Sequence, residues 1–522
     1  MTSDTQGNTM RFELLKAGLA DGAGARLGRL AFSGSRTVET PNFFAITSRG
    51  AIPHVTPDNL EKHVPVQGTY IALEDFIERS QANPTRTPPI YKTPSTSARP
   101  RPLHNFTVTP PSTLTLLAAR RLPAVPSPQG NTPAGISVFT STGFQNLSTK
   151  DYQTAVATLK PDMAIPLADL TNSSTTPNSK RATRMAERTE DWLAQWFASA
   201  STSTDSQPPT AIFAPTLPVP YAMQWEYLTR LAEDFSPSIT GLAVYSTDII
   251  PDLSNHPSLA SKPRLSLDPP RTPHHILNQI ALGADIFLLP FLNSISDSGV
   301  ALTLSFPPSP PSIPPSPAPS SSTVLPLGVD LGDPVFSTRV TPLSHGCKCY
   351  TCTTHHAAYV HHLLSAREML GWTLLQIHNH SVVAGFFAGV RASLASGTFA
   401  EDSAAFQRAY DVEAPAGTGE RPRARGYHFK SEGGDKPRNK KAWEKGLGPD
   451  GEVLTAGEGV IEAEAEVDGL DGPDGVERLN IGQVEKERLE RDLTETPVVP
   501  DWDMDAKDLV EGGFAEIAPE RK

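Results

Sequence analysis

The sequence predicts an α/β fold built on a parallel sheet. Three observations predict it. Short apolar, strand-like runs alternate with longer amphipathic patterns over roughly 300 residues, the signature of strand–crossover–strand units. The 522 residues give room for one large domain or two to three ordinary ones. No apolar run approaches the ~18 residues that a membrane-spanning helix needs. A closed (β/α)8 barrel and an open doubly wound sheet both fit this pattern.

The elements follow in order. GISVFTS (135–141) reads as a strand and precedes the helical KDYQTAVATL (150–159). MAIPLA (163–168) precedes RATRMAERTEDWLAQWF (181–197), whose apolar positions recur at helical spacing. TAIFAPT (210–216) leads to YAMQWEYLTRLAEDF (221–235), and GLAVYS (241–246) leads through a loop to HHILNQIALGA (274–284). DIFLLPFL (285–292) follows as a strand. SVVAGFFAGV (381–390) is too short to span a bilayer and reads as core. Neither a GxGxxG nor a GxxxxGK[ST] phosphate loop occurs, which argues against nucleotide-binding α/β classes.

Composition marks the interruptions. Proline supplies 51 of 522 residues, more than an ordered domain carries, so part of the chain is expected to lie outside the core. The stretches 80–105, 197–210 and 306–326 read as surface insertions; the last, FPPSPPSIPPSPAPSSSTVLP, is prone to polyproline II. Residues 415–522 read as a mostly disordered tail, with a short helix at GQVEKERLERDL (482–493). Residues 421–446 hold 9 basic and 3 acidic residues, whereas 447–522 hold 22 acidic and 7 basic. The overall charge of −12 therefore averages a near-neutral body, a basic segment and an acidic tail. A basic segment can contact phosphates, but a solvated linker is the plainer reading.

All three cysteines fall within Cys347-x-Cys349-x-x-Cys352. They form no even-numbered disulfide framework, and MTSDTQGNTMRFELL lacks a secretory core, so a reducing setting is expected. There, clustered cysteines more often bind metal than cross-link. Three thiolates from one tight loop suit tetrahedral zinc, which needs a fourth ligand. Gly346 gives the loop turning freedom. Spacing alone leaves His355, His356, His361, His362, His378 and His380 open, and a ligand from a distant helix favours His378 or His380. A redox Cys349-x-x-Cys352 pair is the weaker reading, because no thioredoxin-like pattern surrounds it. His361 and His362 sit in AAYVHHLLSAREML, where a helix-surface role is expected.

C-x-C-x-x-C followed 26 positions later by His378-Asn379, with YVHHLL between, resembles the zinc motif of the tRNA-guanine transglycosylases. The resemblance covers about residues 10–410 and includes RLGRLAF, TPNFFAITSRGAIPHV, LKPDMAIPLAD, GLAVYS and LGADIF. It implies a (β/α)8 barrel with a zinc subdomain at about 340–395. It also implies one structural zinc held by Cys347, Cys349, Cys352 and His378. Such enzymes exchange guanine at the tRNA wobble position for queuine or a precursor.

That chemistry needs a nucleophilic carboxylate at the ribose C1′ and a second group to move protons. The family's D-S-G-G-F-Q is best matched by T-S-T-G-F-Q (140–145), which places Thr140 at the first Asp. Its G-x-D-x-F-D reads G-A-D-I-F-L (283–288), which places Leu288 at the nucleophile. Tyr245 and Ser246 replace Gly and Glu of the base-reading stretch, while Asp169 stands where the family's base-reading Asp stands. Asp162, Asp285 and Asp297 are the carboxylates that a shifted alignment would recruit. A kept zinc motif with lost carboxylates implies a non-catalytic subunit paired with a catalytic homologue and helping to hold tRNA. The alternatives are an active transglycosylase with other carboxylates and a zinc-stabilised barrel serving as a binding module. The resemblance implies a cytoplasmic protein, peripheral at the mitochondrial outer membrane, with no integral membrane segment.

Overall fold

Strands buried on both faces read as unbroken apolar runs, and seven such runs are buried at nearly every position. They are β1 (Asn42–Ile46), β2 (Gly68–Ala72), β3 (Leu114–Ala118), β5 (Ala211–Thr216), β6 (Gly241–Val244), β7 (Arg264–Ser266) and β8 (Ile286–Leu288). Only a bridge-length β4 (Met163–Ala164) completes the ring. In the computed structural model these eight strands pair in parallel, in chain order, and close. Closure is made by Ile286, Phe287 and Leu288 of β8 pairing with Asn42, Phe43 and Phe44 of β1. The fold is therefore the barrel and not the open sheet. The structure describes residues 10–422, apart from 19–23, 33–35, 79–86, 97–99, 128–129, 172–175, 201–209, 309–323 and 420. The expectations for the basic segment beyond 422, the acidic tail, the helix at 482–493 and most of 197–210 and 306–326 lie outside the described residues.

Period-two alternation sorts the strand side chains. Phe44, Ile46, Phe213, Leu265, Ile286 and Leu288 point into the barrel. Their neighbours Phe43, Ala214 and Phe287 point out, to the helices. A three-stranded antiparallel sheet, Met10–Lys16, Leu27–Phe32 and Thr37–Thr40, adds Met10, Leu30, Phe32 and Val38 to the same inner core.

Two expectations are corrected. Gly135–Thr140 is a strand, but it pairs antiparallel with Gly143–Ser148 in a hairpin outside the barrel. Gly143, at φ +110°, permits the tight turn that sends the chain back. The third wall strand is β3, just after the proline-rich stretch. That stretch is not only surface: its helical turns Pro89–Lys92 and Pro102–Thr107 bury Ile90 and Leu103 beside Tyr152 and Trp192.

Beyond β8, the strands Val300–Leu302 and Gly328–Asp330 pair antiparallel beside helices Tyr350–Thr354 and Ala357–Ser365. The long helix Met369–Ser396 buries Val383, Phe386, Phe387 and Val390 against the barrel, so the apolar run at 381–390 is core. Among the described residues no helix is long and apolar enough to cross a membrane. Residues 415–419 stay on the body: Thr418 donates its N–H to Asp330 at 2.9 Å.

Candidate metal centre and barrel mouth

Gly346, at φ +76°, turns the chain just before Cys347. Cys349 then caps Tyr350–Thr354, its sulfur accepting the Cys352 N–H at 3.4 Å. This one turn points three sulfurs at the long helix. His378 meets them there, with its Nδ1 at 3.8 Å from Cys347 Sγ, 3.5 Å from Cys349 Sγ and 3.3 Å from Cys352 Sγ. All four donor atoms lie within 4.8 Å of one another. A tetrahedral ion with Zn–S about 2.3 Å and Zn–N about 2.0–2.1 Å has an S···N edge of about 3.6 Å, so the set fits such an ion.

The donors are held from behind. His378 Nε2–H donates to the Leu302 carbonyl at 2.8 Å, which leaves Nδ1 as the lone-pair donor. Asn379 accepts from the Leu302 N–H at 2.8 Å and donates to the Val300 carbonyl at 3.0 Å and to Ser296 Oγ at 2.9 Å. Thr351 Oγ1 donates to the Leu374 carbonyl at 2.7 Å. The pair His378-Asn379 thus ties the helix to a strand that lies 76 to 79 positions earlier. The crowded sulfurs divide charge unevenly. Contacts with Cys347 and Cys352 push the Cys349 thiol up, while contacts with Cys347 and Cys349 pull the Cys352 thiol down. Burial disfavours a charged His378, yet the sulfurs of Cys347 and Cys352 lift it to about 9.

Four of the other candidate histidines are engaged elsewhere, and His362 is exposed on its helix. His355 stacks on Tyr359, and His356 caps its helix by accepting the Tyr359 N–H at 3.1 Å. His361 donates to the Leu331 carbonyl at 2.7 Å. His380 donates to the Gln376 carbonyl at 2.8 Å, and burial lowers it to about 4.

The second site is the mouth at the C-terminal ends of the strands, where barrels carry their chemistry. A cavity of about 570 Å³ opens there, lined by residues of β2 and by those that follow β3 to β7. Among the described residues its wall holds three arginines, Arg120, Arg121 and Arg271, two tyrosines, Tyr70 and Tyr245, and no carboxylate. Arg121 is neutralised: its Nε lies 2.8 Å from Glu74 Oε1 and its Nη2 3.3 Å from Asp75 Oδ1. Burial pushes the Glu74 carboxyl up against the pull of Arg121. Arg120 donates from Nη2 to the Ser137 carbonyl at 2.8 Å and to Asn131 Oδ1 at 3.0 Å. Burial lifts the Tyr245 phenol to about 12, against the opposing charge of Arg120.

A family model described as queuine tRNA-ribosyltransferase matches residues 21–412. The chain belongs to the queuine tRNA-ribosyltransferase family. It is similar to a protein named queuine tRNA-ribosyltransferase accessory subunit 2 from Schizosaccharomyces pombe, 35% identical over 81% of this chain and 90% of that protein. Proteins of the same name from Xenopus tropicalis and Drosophila melanogaster are 26% and 27% identical, each over 72% of this chain and over 94% and 87% of their own lengths.

Within this queuine tRNA-ribosyltransferase barrel, the expected site residues fall in different places. Leu288 ends β8, fully buried in the inner core. Thr140 does not line the mouth. It sits at the hairpin turn, where its hydroxyl meets the Gly143 carbonyl at 2.9 Å and Gln145 Nε2 at 3.1 Å. The mouth position of the third strand is occupied by Ala119, Arg120 and Arg121. Tyr245 does line the mouth. Asp169 lies behind the wall and is fully buried. Its Oδ1 accepts from Arg181 at 2.8 Å and Asn131 at 2.7 Å, and its Oδ2 from Arg188 at 2.7 Å. Because Asp169 is fully buried, a base contact by it would require the surrounding wall to open.

The carboxylates held in reserve do not face the mouth. Asp162 and Asp285 immediately precede β4 and β8, at the opposite end of the barrel. Asp285 accepts from Arg26 Nε at 3.0 Å and from the Arg264 N–H at 2.7 Å. Asp297 pairs with His54 Nε2 at 3.0 Å. The mouth arginines were missed at the level of sequence. The available signal was a doubled arginine closing an apolar strand, LTLLAARR (114–121).

Proposed function

We propose that this chain is the non-catalytic, zinc-binding subunit of a heterodimeric queuine tRNA-ribosyltransferase. It pairs with a catalytic homologue and helps hold tRNA while the partner exchanges guanine for queuine at the wobble position. One observation carries the reading: among the described residues, the mouth that should present two carboxylates presents none, and offers arginines instead. Ribosyl transfer through a covalent intermediate needs an anionic nucleophile, and the strand end that would supply it bears Leu288. The names of the relatives support the subunit role.

The ion at Cys347, Cys349, Cys352 and His378 is proposed to be zinc, one per chain. Three soft thiolates and an imidazole select it, and four protein ligands leave no open position for chemistry. Its role is structural, pinning the cysteine loop to the long helix. Guanine or queuine exchange into tRNA is the test, with this chain alone and with a catalytic homologue. Activity only in the mixture, with one zinc bound per chain, is the expected result. Exchange by this chain alone would overturn the proposal and bring back an active site built on other carboxylates. Failure to pair with any catalytic homologue would favour a separate binding module.

A further inference from the structure

We propose, resting on the zinc reading above, that Cys347 is a peroxide-reactive modification site, whose oxidation to a disulfide with Cys352 expels the metal and releases the cysteine loop from the long helix. The metal centre is shielded unevenly. On the helix side it is closed: His378 is fully buried and held by the Leu302 carbonyl, and Asn379 beside it is fully buried too. On the loop side it is open. A groove of about 1360 Å³ lies between the loop, the end of helix Pro57–His63 and the long helix, and both Cys347 and Cys349 line it. Cys347 is half-buried, whereas Cys349 and Cys352 are 9% and 6% exposed. Cys347 is therefore the sulfur that a small solute in the groove reaches first. A metal ligand is held as the thiolate, and the thiolate is the form that attacks an oxidant, so access decides which sulfur reacts. Lys62 and Lys348 line the same groove, and Glu61 is the one carboxylate among the described lining residues. That positive balance favours the departure of hydroxide.

The reaction balances with a peroxide as the oxidant. The Cys347 thiolate attacks one peroxide oxygen, the O–O bond breaks, and a sulfenic acid and a hydroxide form. A second thiolate then attacks the Cys347 sulfur, the S–O bond breaks, and a second hydroxide leaves. Two thiolates lose two electrons and the peroxide gains them. Both remaining sulfurs lie within 4.8 Å of Cys347 Sγ. A bridge to Cys349 would close over one residue, whereas a bridge to Cys352 closes over four, which disulfide geometry accommodates with less strain. Cys352 is therefore the resolving thiol. The bridge leaves Cys349 and His378, two donors where a tetrahedral ion needs four. The loop then keeps contacts that involve no sulfur, among them the stack of Tyr350 on His63, with ring centroids 4.2 Å apart, and the Thr351 hydroxyl on the Leu374 carbonyl. A dithiol reductant exchanges the bridge back to two thiols and restores all four donors.

Hydrogen peroxide added to the zinc-loaded full chain tests this, with glutathione in the same solution as a reference thiol. Zinc release is followed with a chromogenic chelator, and the cysteines are mapped by alkylation and mass spectrometry. The expected result is loss of the bound zinc, a Cys347–Cys352 bridge, and renewed zinc binding after dithiothreitol. Ser381 lines the groove one turn beyond His378 on the same helix and ligates nothing. Ser381→Phe should narrow the approach and slow zinc release about threefold or more, with zinc content and melting unchanged. Zinc retained while glutathione is consumed would overturn the proposal. So would a Cys349–Cys352 bridge with Cys347 left as the thiol, or release from Ser381→Phe at the parent rate. An untreated chain that carries no zinc would instead overturn the zinc reading beneath it.

Discussion

The metal centre and the barrel mouth are built by the same device and end with opposite needs. Each gathers side chains from distant parts of the chain into one cavity. At the metal centre, three sulfurs and an imidazole nitrogen lie within 4.8 Å of one another, a set of soft lone-pair donors that suits a cation. At the mouth, Glu74, Asp75 and Asp169 are paired with arginines and Asp268 is held by Thr247, while Arg120 and Arg271 make no ion pair among the described residues. What remains unneutralised in a buried site indicates its ligand better than the individual residues do. Asp162, at the other end of the barrel, is enclosed by its partners, with Arg36, Arg101 and His104 all in contact with its carboxylate.

The largest expected effect is at the metal centre. Cys352→Ser removes a buried soft ligand and leaves a three-donor site. Structural zinc contributes about 10–16 kcal/mol of apparent folding energy in small zinc peptides, and on the proposed zinc reading part of that would hold the cysteine loop to the long helix. The variant should lose its bound metal and melt far below the parent. Treating the parent with a strong chelator should reproduce that melting curve. Metal analysis together with calorimetric melting is the check. A variant without metal but with unchanged melting would mean that the packing of Phe386 and Phe387 already fixes the helix.

Asp162→Asn should cost less, about 3–5 kcal/mol, as expected for breaking a buried charge network at one partner. Burial alone would raise the Asp162 carboxyl; the hydrogen bond from His104 and the charge of Arg101 outweigh it and hold the group well below the ordinary carboxylate range. Arg36 adds a contact at 2.7 Å. The folded-state value is depressed, so the stabilisation is present above the unfolded carboxylate pKa of about 4 and drains as pH falls below it. The parent should therefore lose stability on acidification, and Asp162→Asn should lose less over the same interval. Parallel acid-unfolding curves would show that Asp162 contributes nothing to the pH dependence.

The two sites were not equally legible in the sequence. The cysteine loop lies within six positions, so its chemistry is local and spacing announces it; the fourth ligand needed the His378-Asn379 landmark, because Asn379 and the Leu302 backbone fix it from another element. The barrel was legible as strand–helix alternation, but closure was not, since pairing of β8 with β1 joins positions about 244 apart. Thr140 marks the same limit: its six-residue string matches a family stretch, but that it lies on a hairpin outside the barrel wall was not legible, because side-chain identity carries no record of strand partner. The fate of Asp169 was equally hidden. Arg181 and Arg188 reach it because they stand two turns apart on one face of helix Ser179–Ala200, which becomes visible only once that helix is docked.

The smallest effect separates the two tyrosines of the mouth. Tyr70 and Tyr245 line one cavity, but among the described residues only Tyr70 has a hydrogen-bond partner, donating to the Arg120 carbonyl at 2.5 Å. Tyr70→Phe should therefore cost about 1 kcal/mol, the net worth of a buried hydrogen bond whose acceptor is left behind. Tyr245→Phe removes a hydroxyl that bonds none of the described residues and should shift stability by no more than about 0.5 kcal/mol. Denaturant unfolding of both variants at equal slope would read the difference. If Tyr245→Phe costs as much as Tyr70→Phe, its hydroxyl has an internal partner and is not free for a ligand. If it costs nothing, the mouth keeps a polar group that folding does not use, as a site kept for binding would.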